Sequence, residues 1–319
     1  MKITNPLLVF DEERALTVFC HVIKSWRERS RGLGGLVPFE MNLPPGIIRG
    51  SREHALNLFF LGWINRYGEK ALVLRDHLAQ AWSSHPGIID PRRIMFDQSR
   101  KVLEEIIPLA DSEPERIDQW LACRQILLES YGGDPRNIFL THEGDRENLI
   151  QALDDFPGIG RKIAQLIGVW FQEVRWPGNS SCRDVWKQVK LIPLFPTDMW
   201  IARLFVQSQI ISSWRRDSRD KIILEICEFT CGLCARHRLS HIDLAQGFWH
   251  IGALICDRRP KGERQKQRAD MHCLSECPLH DHCTIFIQNR WNNYLNGRVG
   301  ADDTIVRCSE QNLFAPGRI

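Results

Sequence analysis

Apolar positions recur at helical spacing through most of the chain. Residues 55–82 (ALNLFFLGWINRYGEKALVLRDHLAQAW) carry this spacing over two segments. RIDQWLACRQILLESYGG (116–133) is a long amphipathic stretch that stops at two glycines, a C-terminal stop signal. The segments at 146–156, 161–171, 198–207 and 220–237 repeat the pattern, while strand-like alternation is scarce. The expected fold class is therefore all-α. Loops are expected at 32–46, 83–93 and 175–188, and the residues after Phe286 carry few signals and suit a docked or partly loose tail. Neither an internal repeat nor a low-complexity tract stands out.

A length of 319 residues suggests two domains, or one body with two lobes. Apolar content of 43% and charged content of 25% are ordinary for a globular protein. The net charge of +3 does not announce a nucleic-acid partner, so local clusters matter more than the total. The early apolar run PLLVF is too short for a signal-peptide core, and no run of 18 apolar residues predicts a membrane span. Eleven cysteines, several close together and without an export signal, point to a reducing compartment. There, clustered cysteines read as metal ligands before they read as disulfides.

The stretch DDFPGIGRKIAQLIGVW (154–170) raises the first chemical question. A dinucleotide fingerprint would need a third glycine where Ile163 stands, and a preceding strand; a nucleotide-hydrolase phosphate loop would need G-x-x-x-x-G-K-[ST]. What remains is a hairpin between two helices. Ile159, Ile163, Ile167 and Trp170 share one face of the second helix, with Leu149, Leu153 and Phe156 as partners. Glycine permits positive φ and close approach of a ligand, and the free N–H groups that open the second helix favour an anion such as a nucleic-acid phosphate. The same turn also suits an ordinary structural αα-hairpin.

FPGIGRKIA resembles the helix-hairpin-helix motif of the base-excision DNA glycosylases related to endonuclease III, and RQILLESYGG resembles the helix and turn before it. The resemblance implies that Pro157, Gly158, Gly160 and Arg161 grip the DNA backbone, and that Lys162 stands where bifunctional members carry a catalytic lysine. In LFPTDMWIARLF (194–205), Asp198 followed by Met-Trp is similar to the segment holding the catalytic aspartate of the 8-oxoguanine glycosylases. Asp198 also reads as a helix-capping carboxylate, and the two roles can coexist. An apparent insertion around 172–193 separates the pair more widely than in the family. The family's gap-filling residue matches Asn65 in LGWINRYG; no catalytic glutamate is assigned, since Glu69 aligns poorly.

Cys256, Cys273, Cys277 and Cys283 follow the spacing C-x16-C-x3-C-x5-C. Four thiolates suit a [4Fe–4S] cluster or a structural zinc, and spacing alone does not choose. The family's C-x6-C-x2-C-x5-C at this place implies the [4Fe–4S] cluster; IGALIC and CPLHDHC are close to the matching segments of the adenine glycosylases. The lengthened loop after Cys256 holds six basic residues against three acidic ones. Its Arg258, Arg259 and Lys261 are expected to contact phosphate, against the plainer reading of a solvated loop. Cys227, Cys231 and Cys234 have a C-x3-C-x2-C spacing similar to the triplet of radical enzymes that use S-adenosylmethionine. They also follow Leu224 along one helical seam, which favours core packing.

The layout expected by analogy is two helical lobes, with a helix-hairpin-helix motif and a C-terminal [4Fe–4S] loop. Residues 1–45 form an N-terminal extension packed on the cluster lobe. Residues 46–195 form a helical barrel ending in the hairpin and insertion, 196–290 the C-terminal iron–sulfur domain, and 291–319 a tail. The resemblance implies a monomeric, non-secreted glycosylase with AP-lyase activity, acting on duplex DNA in the nucleoid or nucleus. A non-catalytic helix-hairpin-helix iron–sulfur DNA-binding protein is the alternative, and a radical enzyme a weaker third class.

Overall fold

The computed structural model describes residues 7–34, 43–65, 71–94, 99–107, 113–142, 145–173, 193–214, 219–256, 266–283 and 306–307. The chain is mostly helical and divides into two compact units, one made of Met1–Leu36 with Thr197–Ile319 and the other of Val37–Pro196. Among the described residues, no helix is long and apolar enough to cross a membrane.

In the unit Val37–Pro196, helix α2 spans Arg52–Ile64 and is buried on every side from His54 to Ile64. Such a helix belongs at the centre of a core. Ser51 caps its start, accepting from His54 N–H at 3.1 Å. Helix α3 (Ala71–Ser84) follows, so the apolar stretch 55–82 does form two helices. Helix α4 covers Ser99–Ile106 and α5 Glu115–Tyr131. Helix α5 ends where expected, because Gly132 adopts φ +62° and its N–H closes on Leu127 O. Helices α6 (Arg136–Thr141), α7 (Arg146–Asp154) and α8 (Arg161–Glu173) complete the described part.

An aromatic cluster fills this core. Phe60 lies 4.2 Å from Trp120 by ring centroids, and Phe59 meets Phe156 edge-on at 5.0 Å. Fully burying each such ring stabilises the fold by roughly 1.5–3 kcal/mol. One charged hub accompanies it. Asp90 is buried and takes both amino groups of Arg52, at 2.7 and 2.8 Å, with Arg92 N–H at 3.0 Å. Burial pushes the Asp90 carboxyl up, but these hydrogen bonds and the charges of Arg52 and Arg93 outweigh it and hold the group below its ordinary range.

In the other unit, helix α1 (Glu12–Glu28) starts at Asp11, whose carboxylate accepts from Arg14 N–H at 2.8 Å. Ala15, Val18, Phe19, Val22 and Trp26 are buried along one face. Helix α9 spans Met199–Gln207, α10 Arg219–His237, α11 His241–His250 and α12 Lys266–Glu276. Helix α1 packs closely on α11, since a Cβ on Gly247 would stand 2.5 Å from Val22 Cγ1. A small sheet joins distant stretches: β1 (Leu8–Phe10) pairs antiparallel with β2 (Ile211–Trp214), and β2 with β3 (Val306–Arg307). The expected tail therefore contributes a strand at 306–307. The buried Glu225 carboxylate fixes the chain entering β1, accepting from Leu7 N–H at 2.8 Å and Leu8 N–H at 2.9 Å.

His250 links α11 to α1. Its ring centroid lies 4.4 Å from that of Trp26, and its Nδ1–H donates to Gln246 O at 2.8 Å. Burial lowers its pKa to about 4 from an ordinary 6.5. The unfolded chain then binds a proton that the folded chain refuses between those values. Stability should be full above pH 6.5 and fall as pH drops towards 4, by about 3 kcal/mol from this residue. Urea titrations at pH 7 and pH 5 should show a smaller loss of stability on acidification in His250→Gln than in the wild type.

Candidate functional site

The turn between α7 and α8 is built from local bonds and two glycines. Asp145 caps α7, accepting from Asn148 N–H at 2.9 Å. The chain reverses as Phe156 N–H reaches Leu153 O and Ile159 N–H reaches Phe156 O at 2.9 Å. Gly158 adopts φ +80°, a conformation that only glycine takes without strain. Ala164 N–H then bonds to Gly160 O at 2.9 Å, opening α8. The helices behind the turn hold it in place: Pro157 O accepts from Trp63 Nε1 at 2.8 Å and from Cys123 Sγ at 3.2 Å. Ile159, Ile163 and Ile167 are buried, as the shared helical face requires.

The outer side of the turn is open. A Cβ on Gly160 would meet nothing within 4 Å. The turn therefore offers N–H groups at the positive end of a 13-residue helix. Lys162 is exposed on the first turn of α8. Arg161 is directed elsewhere, because its Nη2 pairs with Glu147 Oε2 at 2.9 Å. An exposed pair of this kind is worth less than about 1 kcal/mol and yields readily to a stronger anion. Asn65 is the C-cap of α2, its N–H reaching Leu61 O at 3.1 Å.

Asp198 belongs to the other unit and is the N-cap of α9. Its Oδ1 accepts from Trp200 N–H at 2.9 Å and from Ile201 N–H at 3.0 Å. The side chain is half-buried. A Cβ on Gly252 would come within 2.8 Å of Trp200 Cβ, so a segment beyond α11 presses on the first turn of α9.

That segment, Ile251–Cys256, is a π-helical continuation of α11 and delivers Cys256 at its end. Cys273 lies in the last turns of α12. Successive turn bonds then carry the chain onward, with Cys277 N–H to Cys273 O, His280 N–H to Cys277 O and Cys283 N–H to His280 O. The Cys256 thiol hydrogen-bonds to Cys277 and feels Cys273 and Cys283. Cys256 is pushed up strongly, first by its hydrogen bond with Cys277, then by burial and by the other cysteines. Cys277 is held low, first by that same bond, then by the Leu279 N–H and the Arg31 guanidinium, against the effect of burial. A thiolate ligand must be deprotonated, so of this bonded pair Cys277 is the readier. Among the described residues, no three His, Cys, Asp or Glu side chains gather tightly enough to hold a metal ion. The donor chemistry still fits an iron–sulfur group, because Cys256 bonds to Cys277 and also feels Cys273 and Cys283, and four cysteines are the protein ligands such a group takes.

Arg258, Arg259 and Lys261 lie outside the described residues. Cys227, Cys231 and Cys234 are buried on α10, and burial pushes the Cys234 thiol up to about 12. Such a thiol is neutral and apolar in behaviour, as the core-packing reading expects. The sequence reading did not single out Arg14, His21, Arg31 or Gln207, all of which touch the cysteine region. No family profile matches the chain, and no curated protein compared with it is similar enough to count as a relative.

The two turn glycines should behave differently on substitution. Gly158→Ala forces a side chain into the left-handed region and should lower unfolding free energy by about 1–2 kcal/mol in urea titrations. Gly160→Ala has open space around its Cβ and should leave stability unchanged or raise it by roughly 0.5 kcal/mol. Any loss of nucleic-acid affinity in Gly160→Ala would then report a blocked ligand approach rather than a damaged fold.

Proposed function

We propose that this protein is a DNA glycosylase of the endonuclease III type that removes a damaged or modified base from duplex DNA and nicks the product strand. The observation that carries the reading is the α7–α8 turn: Gly158 at φ +80°, open space at Gly160, and an exposed Lys162 on the first helical turn. Backbone N–H groups and the helix dipole suit a DNA phosphate there. The resemblance of FPGIGRKIA to the helix-hairpin-helix glycosylases supplies the reaction class.

In this reading the target nucleotide is flipped out of the duplex, at a cost of a few kcal/mol for unstacking. The Lys162 amine attacks C1′ of the sugar as the glycosidic bond breaks and the base leaves with a proton. Asp198 accepts the proton that the amine gives up, passes it to the departing base, and offsets the cationic character of the sugar. An amine is nucleophilic only when neutral, so the attack runs through the uncharged form of the Lys162 side chain. The product rearranges to a Schiff base on Lys162, and β-elimination then breaks the bond from C3′ to the phosphate oxygen. Cys256, Cys273, Cys277 and Cys283 would hold a [4Fe–4S] cluster, which when bound supplies a structural clamp for the C-terminal region. Asn65 would fill the gap left by the flipped base, and the protein would work as a monomer wherever the cell keeps its DNA.

A second reading is a DNA-binding clamp without chemistry. The observation in its favour is the Asp198 cap, whose Oδ1 is turned to two amides of its own helix. A carboxylate has lone pairs on both oxygens, so capping and proton acceptance are compatible. Borohydride trapping on duplexes that each carry one lesion separates the readings. Wild-type protein should form a covalent adduct with one lesion, and Lys162→Gln should lose adduct and nicking while keeping DNA affinity. Asp198→Asn should slow base release by roughly 100-fold or more. Wild-type protein that binds every duplex and is trapped on none identifies the clamp.

Binding itself should weaken steeply with salt, with a log–log slope near −0.9 for each phosphate neutralised. Replacing Arg258, Arg259 and Lys261 together by Gln should reduce that slope and weaken all sequences alike. An unchanged slope in a fluorescence titration would make the loop a solvated face.

A further inference from the structure

The last loop of the cysteine region is held from outside by the N-terminal segment, which the family resemblance does not cover. Arg31 Nη1 donates to Cys277 O at 2.8 Å. His21 Nε2 lies 2.8 Å from Pro278 O, and since a carbonyl only accepts, that nitrogen carries the proton. Arg14 donates through Nη2 to His282 O and through Nε to Ser208 O, both at 2.9 Å. Three side chains from residues 14–31 thus take three carbonyls between Cys277 and His282.

The approach of Arg31 is built into the backbone. Arg29 and Arg31 adopt φ of +52° and +50°, a region uncommon for residues with a side chain. This double reversal brings Gly32 against the end of α12, where an added Cβ would stand 2.8 Å from Glu276 O. Glu276 immediately precedes Cys277, so the tight contact sits beside the cysteine whose carbonyl Arg31 binds. Asp281 lies 4.0 Å from the other side of the guanidinium.

We propose that Arg31, with His21 and Arg14 as further supports, is a positioning residue for the four-cysteine site and sets the charge environment of its cluster. The inference rests on the reading of Cys256, Cys273, Cys277 and Cys283 as ligands of one iron–sulfur cluster. Partners outside the ligand set orient it and tune it. A cluster with four thiolates is anionic and gains a further negative charge on reduction, so a fixed guanidinium beside one ligand favours the reduced form. The donated hydrogen bonds hold the Cys277–Cys283 loop in the shape that presents two ligands.

The test uses the whole chain, purified without oxygen, with three measurements: iron per chain, midpoint potential by protein-film voltammetry, and the rate of iron loss to a chelator. Arg31→Gln keeps the reach and removes the charge. Its midpoint should shift to a more negative value, and its iron should leave roughly 10–100-fold faster. Arg31→Lys should restore the midpoint, because the charge returns. His21→Phe should lose iron faster, since it removes the donor to Pro278 O. Iron-free wild-type protein would overturn the cluster reading and this inference with it. Iron-loaded wild type, with Arg31→Gln unchanged in midpoint and iron loss, would overturn the inference alone. Should Arg31→Gln lose its helical circular dichroism, Arg31→Lys and His21→Phe decide. Wild-type rates of iron loss in both would overturn the proposal.

Discussion

The close approach of α2 to α8 is the constraint on which the candidate DNA-binding turn depends. A Cβ on Gly62 would stand 2.5 Å from Ile167 Cγ1, so the two helices meet where α2 has no side chain. The next residue, Trp63, uses that proximity to donate its indole N–H to Pro157 O. Cys123 reaches the same carbonyl from α5. The turn is thus referenced to two core helices through one shared acceptor, while Gly160 stays open on the outer side. A binding loop on such a base is preorganised, and little conformational entropy remains to be lost when a phosphate arrives.

The cysteine region follows a different logic. Its own turn bonds run from Cys273 to Cys283; Arg14 and His21 take carbonyls that those bonds leave over, and Arg31 adds a second donor to Cys277 O. Buried or half-buried carbonyls need partners, and a short irregular loop cannot supply them all itself. Helix α1 therefore has two jobs on two faces: Val22 packs against α11, while His21 beside it reaches Pro278. Cysteine in this unit likewise has two fates. At Cys234 on α10 burial pushes the thiol up, and it stays neutral. At Cys277 a donated hydrogen bond and a guanidinium reverse the effect of burial. Residue type is the same; the neighbours decide the chemistry.

What the sequence determined by itself is local. The helical spacing of apolar residues, the Gly132 stop, the positive-φ glycine at position 158 and the capping role of Asp198 all follow from bonds within a few residues of one another. Tertiary structure alone decided the rest. The three strands are only two to four residues long and lie some 200 and 90 positions apart, too short to show alternation and too distant to be paired by pattern. Glu225 reads as a polar residue on a helix, and only the fold aims it at Leu7 and Leu8. Arg31 and Cys277 are separated by 246 positions. A side chain's charge and reach are written in the sequence, but its partner is set by how the elements between the two pack.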